Sequence, residues 1–284
     1  MKYPPRSLFA YAALCALFAG AALPAEAENF KFESRSPFAP SFATTIGGEL
    51  SFPSGVGPFP VVILLHACGG LDKSGKAALS AHAQSLNGAG FATYILDSFT
   101  ARKITADQAC PRPDGSFNFR VDDLFNAQEA LRKHPKIDKN KFFAAGMSHG
   151  ASVALAAAMK SSDIRGFRAV AAFYPNCKMI QNGIQLKSSV LIFVGAKDDW
   201  TPASECEEAK RTKRLPGGEL ELVVLPNAYH GFDQPRSTYR YLGHTLGYNK
   251  QATESSRNTM QKFFARHLND EPVGRDISPN SEKN

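Results

Sequence analysis

The run Lys141-Phe142-Phe143-Ala144-Ala145-Gly146-Met147-Ser148-His149-Gly150-Ala151-Ser152-Val153-Ala154-Leu155 decides how the rest of the chain is read. Its opening residues form a short apolar run of the kind that makes a buried strand. Past Gly150, the stretch Ala151 to Met159 is rich in small helix formers. A serine between two glycines at such a strand-to-helix junction is the pattern of a nucleophile elbow. The turn is so tight that bulky neighbours would clash, which explains the flanking glycines. It lifts the Ser148 hydroxyl off the sheet, beside the positive end of the helix dipole.

A serine hydroxyl is a weak nucleophile at neutral pH and needs a base, and the base needs an acceptor that fixes its tautomer. Downstream, Gly195-Ala196-Lys197-Asp198-Asp199-Trp200-Thr201-Pro202 follows one predicted strand, and Pro226-Asn227-Ala228-Tyr229-His230-Gly231-Phe232 follows the next. Ser, Asp and His in that order, each at the C-terminal end of a strand, is the order of an α/β-hydrolase. The expected catalytic residues are Ser148, Asp198 and His230. Asp198 is preferred to Asp199 because it stands three residues after Gly195, at the turn. His149 is expected to pack beside the site, and His82, His134, His244 and His267 receive no role. The oxyanion would take one backbone N–H from His149. The other would come from Ala67 or Cys68 in His66-Ala67-Cys68-Gly69-Gly70, after the apolar run Val61 to Leu65.

The remaining chain alternates strand and helix. One or two strands are expected within Phe30 to Pro53, with a turn at Gly47-Gly48. Further strands are expected at Phe91–Leu96, Ala169–Tyr174, Val190–Val194 and Leu220–Leu225. Helices are expected at Ser74–Leu86, Arg120–His134, Ala203–Arg214 and Ala252–Leu268, with an irregular, substrate-facing loop at Ser98–Phe119. That alternation predicts an α/β fold with a mostly parallel, doubly wound sheet and no separate cap domain.

The first 27 residues read as a cleaved export signal. Lys2 and Arg6 precede the apolar stretch Ser7 to Leu23, Pro24 breaks it, and Ala25-Glu26-Ala27 offers a small-x-small cleavage site. The expected mature chain, 28–284, forms one domain with a frayed polar tail from about 271, located in the periplasm or secreted. Of the 33 basic and 26 acidic residues, 31 and 25 lie in that stretch, a net charge of +6. The densest basic run, Lys210-Arg211-Thr212-Lys213-Arg214, reads as a solvated helix end. No nucleic-acid motif accompanies it, and no stable membrane insertion is expected after cleavage. Of five cysteines, Cys68, Cys110, Cys177 and Cys206 remain in the mature chain. An even number in an exported protein suggests two disulfides, and no spacing suits a metal.

Gly146 to Gly150, Gly195 to Pro202 and Ala228 to Phe232 resemble the three signatures of dienelactone hydrolase-like α/β-hydrolases, supported by Leu96-Asp97-Ser98-Phe99. The resemblance spans about Pro60 to Leu268. It implies an eight-stranded sheet with its first strands curtailed, no metal or cofactor, and hydrolysis of a small ester or lactone through an acyl-enzyme. By motif position it puts the nucleophile on Ser148, the acid on Asp198, the base on His230 and the first oxyanion donor on Cys68. The chain departs from the dienelactone hydrolases proper, which have cysteine at the position of Ser148 and glutamate at that of Ala67. Arg102 is a near match to a substrate-gripping arginine, and Gln234 replaces a second one. Arg102 and Trp200 are the expected substrate contacts, and carboxylesterase activity is a safer expectation than dienelactone turnover. Because the strands preceding each pair are expected to be neighbours, the predicted disulfides are Cys68–Cys110 and Cys177–Cys206. A peptidase related to the prolyl oligopeptidases, or a silent ligand-binding protein on the same scaffold, are the alternatives.

Overall fold

A computed structural model describes residues 27–37, 39–160, 166–180, 182–212 and 214–269. The expected leader, apart from Ala27, and the expected tail lie outside these residues.

The continuous apolar run at Val61 to Leu65 is the core of β3 (Phe59–Leu65), where alternate residues face opposite sides of the sheet and both sides are covered. Val61, Ile63 and Leu65 enter one apolar core, and Val62 and Leu64 the other. Around it the strands are β1 (Ala27–Ser36), β2 (Ala39–Ser51), β4 (Ala92–Asp97), β5 (Ile137–Met147), β6 (Ala169–Phe173), β7 (Ser189–Gly195) and β8 (Leu220–Leu225). They form one sheet in the order β1-β2-β4-β3-β5-β6-β7-β8. The β1–β2 and β2–β4 pairs are antiparallel, and β4 through β8 run parallel.

Helices α1 (Lys73–Gly88) and α6 (Lys250–Arg266) bury their apolar faces in one core. On the other side lie α3 (Asp114–Leu131), α4 (His149–Lys160) and α5 (Ala203–Arg211), with the single-turn α2 (Ala106–Ala109) preceding α3. A hairpin of β9 (Tyr239–Tyr241) and β10 (His244–Leu246) follows β8.

Several boundaries differ from expectation for identifiable reasons. The first strands are full length rather than curtailed, with ten and thirteen residues. The chain reverses after Ser36, so Gly47-Gly48 lies inside β2 instead of forming a turn. A Cβ at Gly48 would sit 2.0 Å from the Ile95 carbonyl oxygen, so the glycine serves close strand approach. The Ser98–Phe119 segment is largely helical, because α3 begins at Asp114 directly after Pro113. After β7, α5 stops at Arg211. Arg214 folds back and donates from Nη1 to the Ala209 carbonyl at 2.8 Å, capping the helix it was expected to extend.

Candidate active site

The elbow follows from the packing of its glycines. A Cβ at Gly146 would lie 2.3 Å from the Gly150 carbonyl oxygen, and one at Gly150 would lie 2.5 Å from the carbonyl oxygens of Leu65 and His66. Strand β5, helix α4 and the end of β3 therefore meet at backbone contact. Ser148 is held at φ 51°, a conformation unfavourable for a side-chain-bearing residue, and its N–H donates to the Phe173 carbonyl at 2.8 Å.

Ser148, His230 and Asp198 come together at the C-terminal ends of β5, β8 and β7. Ser148 Oγ lies 3.0 Å from His230 Nε2, and His230 Nδ1 lies 2.9 Å from Asp198 Oδ2. An ionised carboxylate only accepts, so Nδ1 carries the proton and Nε2 is left to accept from Ser148. Asp198 Oδ1 accepts from the amides of Trp200 (2.9 Å) and Thr201 (2.8 Å), and its Oδ2 also accepts from the Thr201 hydroxyl at 3.0 Å. Asp199 points elsewhere. Its carboxylate accepts from the Thr245 amide at 2.9 Å and so ties the loop to the β9–β10 hairpin.

Cys68 and His149, the expected oxyanion donors, line the same cavity as Ser148. The Cys68 N–H takes no part in the hydrogen bonds of its turn, where Gly70 N–H closes onto the Ala67 carbonyl at 3.1 Å. The N–H of His149 is the first of α4, where a helix supplies no acceptor of its own. Both disulfides are formed, Cys68–Cys110 and Cys177–Cys206. The first fastens the end of α2 to the turn that carries the Cys68 amide.

Two lobes open on either side of Ser148, sharing Cys68, Cys110 and Trp200 as walls. One, of about 210 Å³, runs toward Tyr239, Tyr241 and Leu246. The other, of about 400 Å³, runs toward Phe117, Asn176 and Met179. A larger concavity of about 780 Å³ lies over β1 and β2, away from Ser148, and the reactive geometry rather than volume selects the site. Trp200, an expected substrate contact, borders both lobes with its ring 5.0 Å from that of His230.

Arg102 is not placed as expected. Its guanidinium makes a two-pronged pair with buried Asp123, at 2.8 and 2.9 Å, and donates to the Ser98 carbonyl at 2.7 Å. It lines neither lobe. Truncating one partner of such a pair strands the other, so Arg102→Met is expected to cost about 3 kcal/mol of stability in urea unfolding. The KM for esters should stay unchanged; a raised KM at full stability would restore Arg102 to the substrate.

Several participants escaped the sequence reading. Among them, His82 Nε2 donates to Asp233 Oδ2 at 2.8 Å, and the Tyr174 hydroxyl donates to Asp233 Oδ1 at 2.6 Å. All three side chains are buried, and the Tyr174 ring packs 4.6 Å from that of His230. They anchor the turn that presents His230 to α1 and to the segment after β6. Burial, and then the Asp233 charge, push the Tyr174 hydroxyl well above its ordinary pKa and keep it a donor. His134 and His244, for which the sequence offers no role, pair with Glu28 and Asp199.

His149 packs beside the site. Burial and the charge of Arg120 push its pKa down to about 3. Between the ordinary histidine value and that figure, the unfolded chain binds a proton that the folded protein refuses, so stability falls as pH falls. The slope from this one side chain is about 1.4 kcal/mol per pH unit. His149→Gln should therefore lose about 1 kcal/mol less than wild type between pH 6 and pH 5 in urea titrations. Parallel slopes would mean that His149 is protonated in the fold.

Among the described residues no cluster of three or more His, Cys, Asp or Glu is placed to hold a metal, and no helix is long and apolar enough to cross a membrane. The fold is shared with solved structures. A dienelactone hydrolase from Anabaena variabilis superposes with a TM-score of 0.63 at 18% identity, covering 85% of this chain and 99% of that one. A dienelactone hydrolase-like promiscuous phosphotriesterase from metagenomic libraries gives 0.62 at 21%, with the same coverage. The butyrate-bound esterase of Thermogutta terrifontis gives 0.58 at 15%, over 78% and 89% of the two chains. No curated protein sequence matches the chain. The sequence model of one family does match, over residues 46–268, a span that takes in Ser148, Asp198 and His230: the chain belongs to the dienelactone hydrolase family and is a carboxylic ester hydrolase.

Proposed function

We propose that this protein is an exported serine hydrolase that cleaves small carboxylic esters or lactones through an acyl-enzyme. The observation that carries the reading is the unbroken chain from Ser148 Oγ through His230 to Asp198, at 3.0 and 2.9 Å. In the first half-reaction Ser148 Oγ attacks the ester carbonyl while His230 Nε2 takes its proton. The resulting imidazolium lies against the Asp198 carboxylate, which stabilises it without accepting the proton. Negative charge on the former carbonyl oxygen is met by the N–H groups of Cys68 and His149. His230 then returns the proton to the departing alcohol oxygen, and the C–O bond breaks. In the second half, water repeats the attack with His230 as base, and the acid leaves as Ser148 recovers its proton.

Two lobes meeting at Ser148 suit an ester laid across the nucleophile, acyl group on one side and alcohol on the other. Their modest size and the aromatic wall of Trp200, Tyr239 and Tyr241 favour short or compact groups. Neutral Ala67 and serine in place of a thiol favour plain ester hydrolysis over dienelactone turnover. Export is supported by the leader pattern in residues 1–27 and by two disulfides, which persist in oxidising compartments. Incubation of the oxidised protein with a fluorophosphonate should add one label, located by peptide mass on Ser148, alongside turnover of p-nitrophenyl acetate. A protein that neither labels nor turns over short esters, but binds a small ligand tightly, would replace this reading with that of a silent binding protein.

A further inference from the structure

Among the described residues Arg120 is the largest of the side chains fully withdrawn from solvent, and neither half-reaction uses it. Unlike Arg102, it has no carboxylate within ion-pair distance among the described residues; Asp123 and Asp97 act on it only from farther away. Burial pushes its pKa down to about 9, against the pull of those two carboxylates, so it remains a cation at neutral pH. Burying a guanidinium in this way is costly unless its donors are well used.

Its two terminal nitrogens find partners, while Nε–H is buried without one among the described residues, and Nη2 also lies 3.4 Å from His66 Nδ1. Nη2 donates to the His66 carbonyl at 2.5 Å, and Nη1 donates to His149 Nδ1 at 2.7 Å. The first partner opens the turn that carries the Cys68 amide, and the second is the side chain of the residue that supplies the other oxyanion amide. The protonation states agree with this arrangement. Arginine only donates, so His149 Nδ1 accepts and its ring is neutral. His66 Nε2 accepts from the Ser98 amide at 3.3 Å, so its Nδ1 holds the proton and donates to the Ala67 carbonyl at 2.7 Å. Burial, and then the charge of Arg120, push His66 well below its ordinary pKa and keep it neutral as well. Arg120 itself is packed against the ring of Phe99, 5.0 Å from its centroid, which limits its rotation.

We propose that Arg120 is a positioning residue of the oxyanion hole: one planar fork fixes the Cys68 turn relative to the start of α4 and places a positive charge beneath both amides. The inference rests on the serine hydrolase reading. A guanidinium suits the task because its two Nη groups are held at a fixed spacing, whereas a lysine ammonium is a single point of attachment. Donors that are set before the reaction cost no reorganisation when the oxyanion forms, so their misplacement is felt in the chemical step.

The test compares wild type, Arg120→Met, Arg120→Lys and Arg120→Ala on a short p-nitrophenyl ester, with a trifluoromethyl ketone as a tetrahedral-adduct analogue. Arg120→Met should lower kcat by about 10²-fold with KM within about threefold, and weaken the ketone by the same factor as kcat/KM. Arg120→Lys, which keeps the charge and one attachment, should fall between Met and wild type. Added guanidinium ion, below denaturing concentration, should restore part of the activity of Arg120→Ala. If Arg120→Met does not fold, the lysine variant and the guanidinium rescue decide the question in its place. Folded variants with kcat within threefold of wild type, or losses confined to KM, would overturn the proposal. A Ser148→Ala control separates the claims. An active Ser148→Ala protein overturns the serine reading, whereas an inactive one beside an undiminished Arg120→Met overturns only the role of Arg120.

Discussion

Ser148→Ala is expected to lower kcat for short p-nitrophenyl esters by about a millionfold and to abolish fluorophosphonate labelling. The change deletes the hydroxyl oxygen that lies 3.0 Å from His230 Nε2, while leaving the base, its carboxylate and the oxyanion amides in place. What remains is a pocket that binds the ester and activates water poorly, a residual of about 10³ over the uncatalysed rate. Stability should be nearly unchanged, because alanine at φ 51° is strained as serine is, and the elbow geometry is set by Gly146 and Gly150. A variant that keeps more than a tenth of wild-type kcat would put the nucleophile elsewhere and end the serine reading.

The second large effect concerns the choice between adjacent aspartates. Asp198→Asn should lower kcat by about 10⁴, and Asp199→Asn by no more than about threefold. The reason is the direction in which an amide must point. The amides of Trp200 and Thr201 both donate to Oδ1 of Asp198, so the oxygen of an asparagine is held there. Its NH₂ group then occupies the place of Oδ2 and faces His230 Nδ1 as a donor. The imidazole answers by moving its proton to Nε2, where it can no longer take one from Ser148. Asp199 is half exposed and holds the Thr245 amide and the His244 ring of the hairpin, so its amide variant loosens a loop end without turning the His230 imidazole over. Steady-state kinetics on both variants decide the matter, and a larger loss at Asp199 would reverse the assignment.

The fold class and the three principal side chains were legible because their causes are local. A continuous β-branched run needs cover on both faces, a serine between glycines needs a tight strand-to-helix turn, and the order Ser, Asp, His follows from loops at successive strand ends. Both disulfides were legible for a related reason: strand order decides which loop ends lie side by side. The carboxylate that meets His230 is the one three residues past Gly195, the position the sequence favoured.

What escaped the sequence depends on which distant groups fill a shared space. Arg102 stands near the position of a substrate-gripping arginine, yet a carboxylate twenty-one residues away claims its guanidinium. Asp233 has the look of an ordinary turn residue, and His82 lies 151 positions from it with nothing in the sequence to link them. Arg120 did leave a trace. It shares one face of α3 with Leu124, Ala127 and Leu131, at i, i+4, i+7 and i+11, and a cation on an apolar stripe calls for an explanation. Periodicity could mark it as buried but could not say what it touches, because its partners arrive from β3 and α4. Periodicity and spacing report the backbone a residue sits on; the partner of a buried charge is set by packing between segments far apart in the chain, and that was decided when the sheet and helices closed around it.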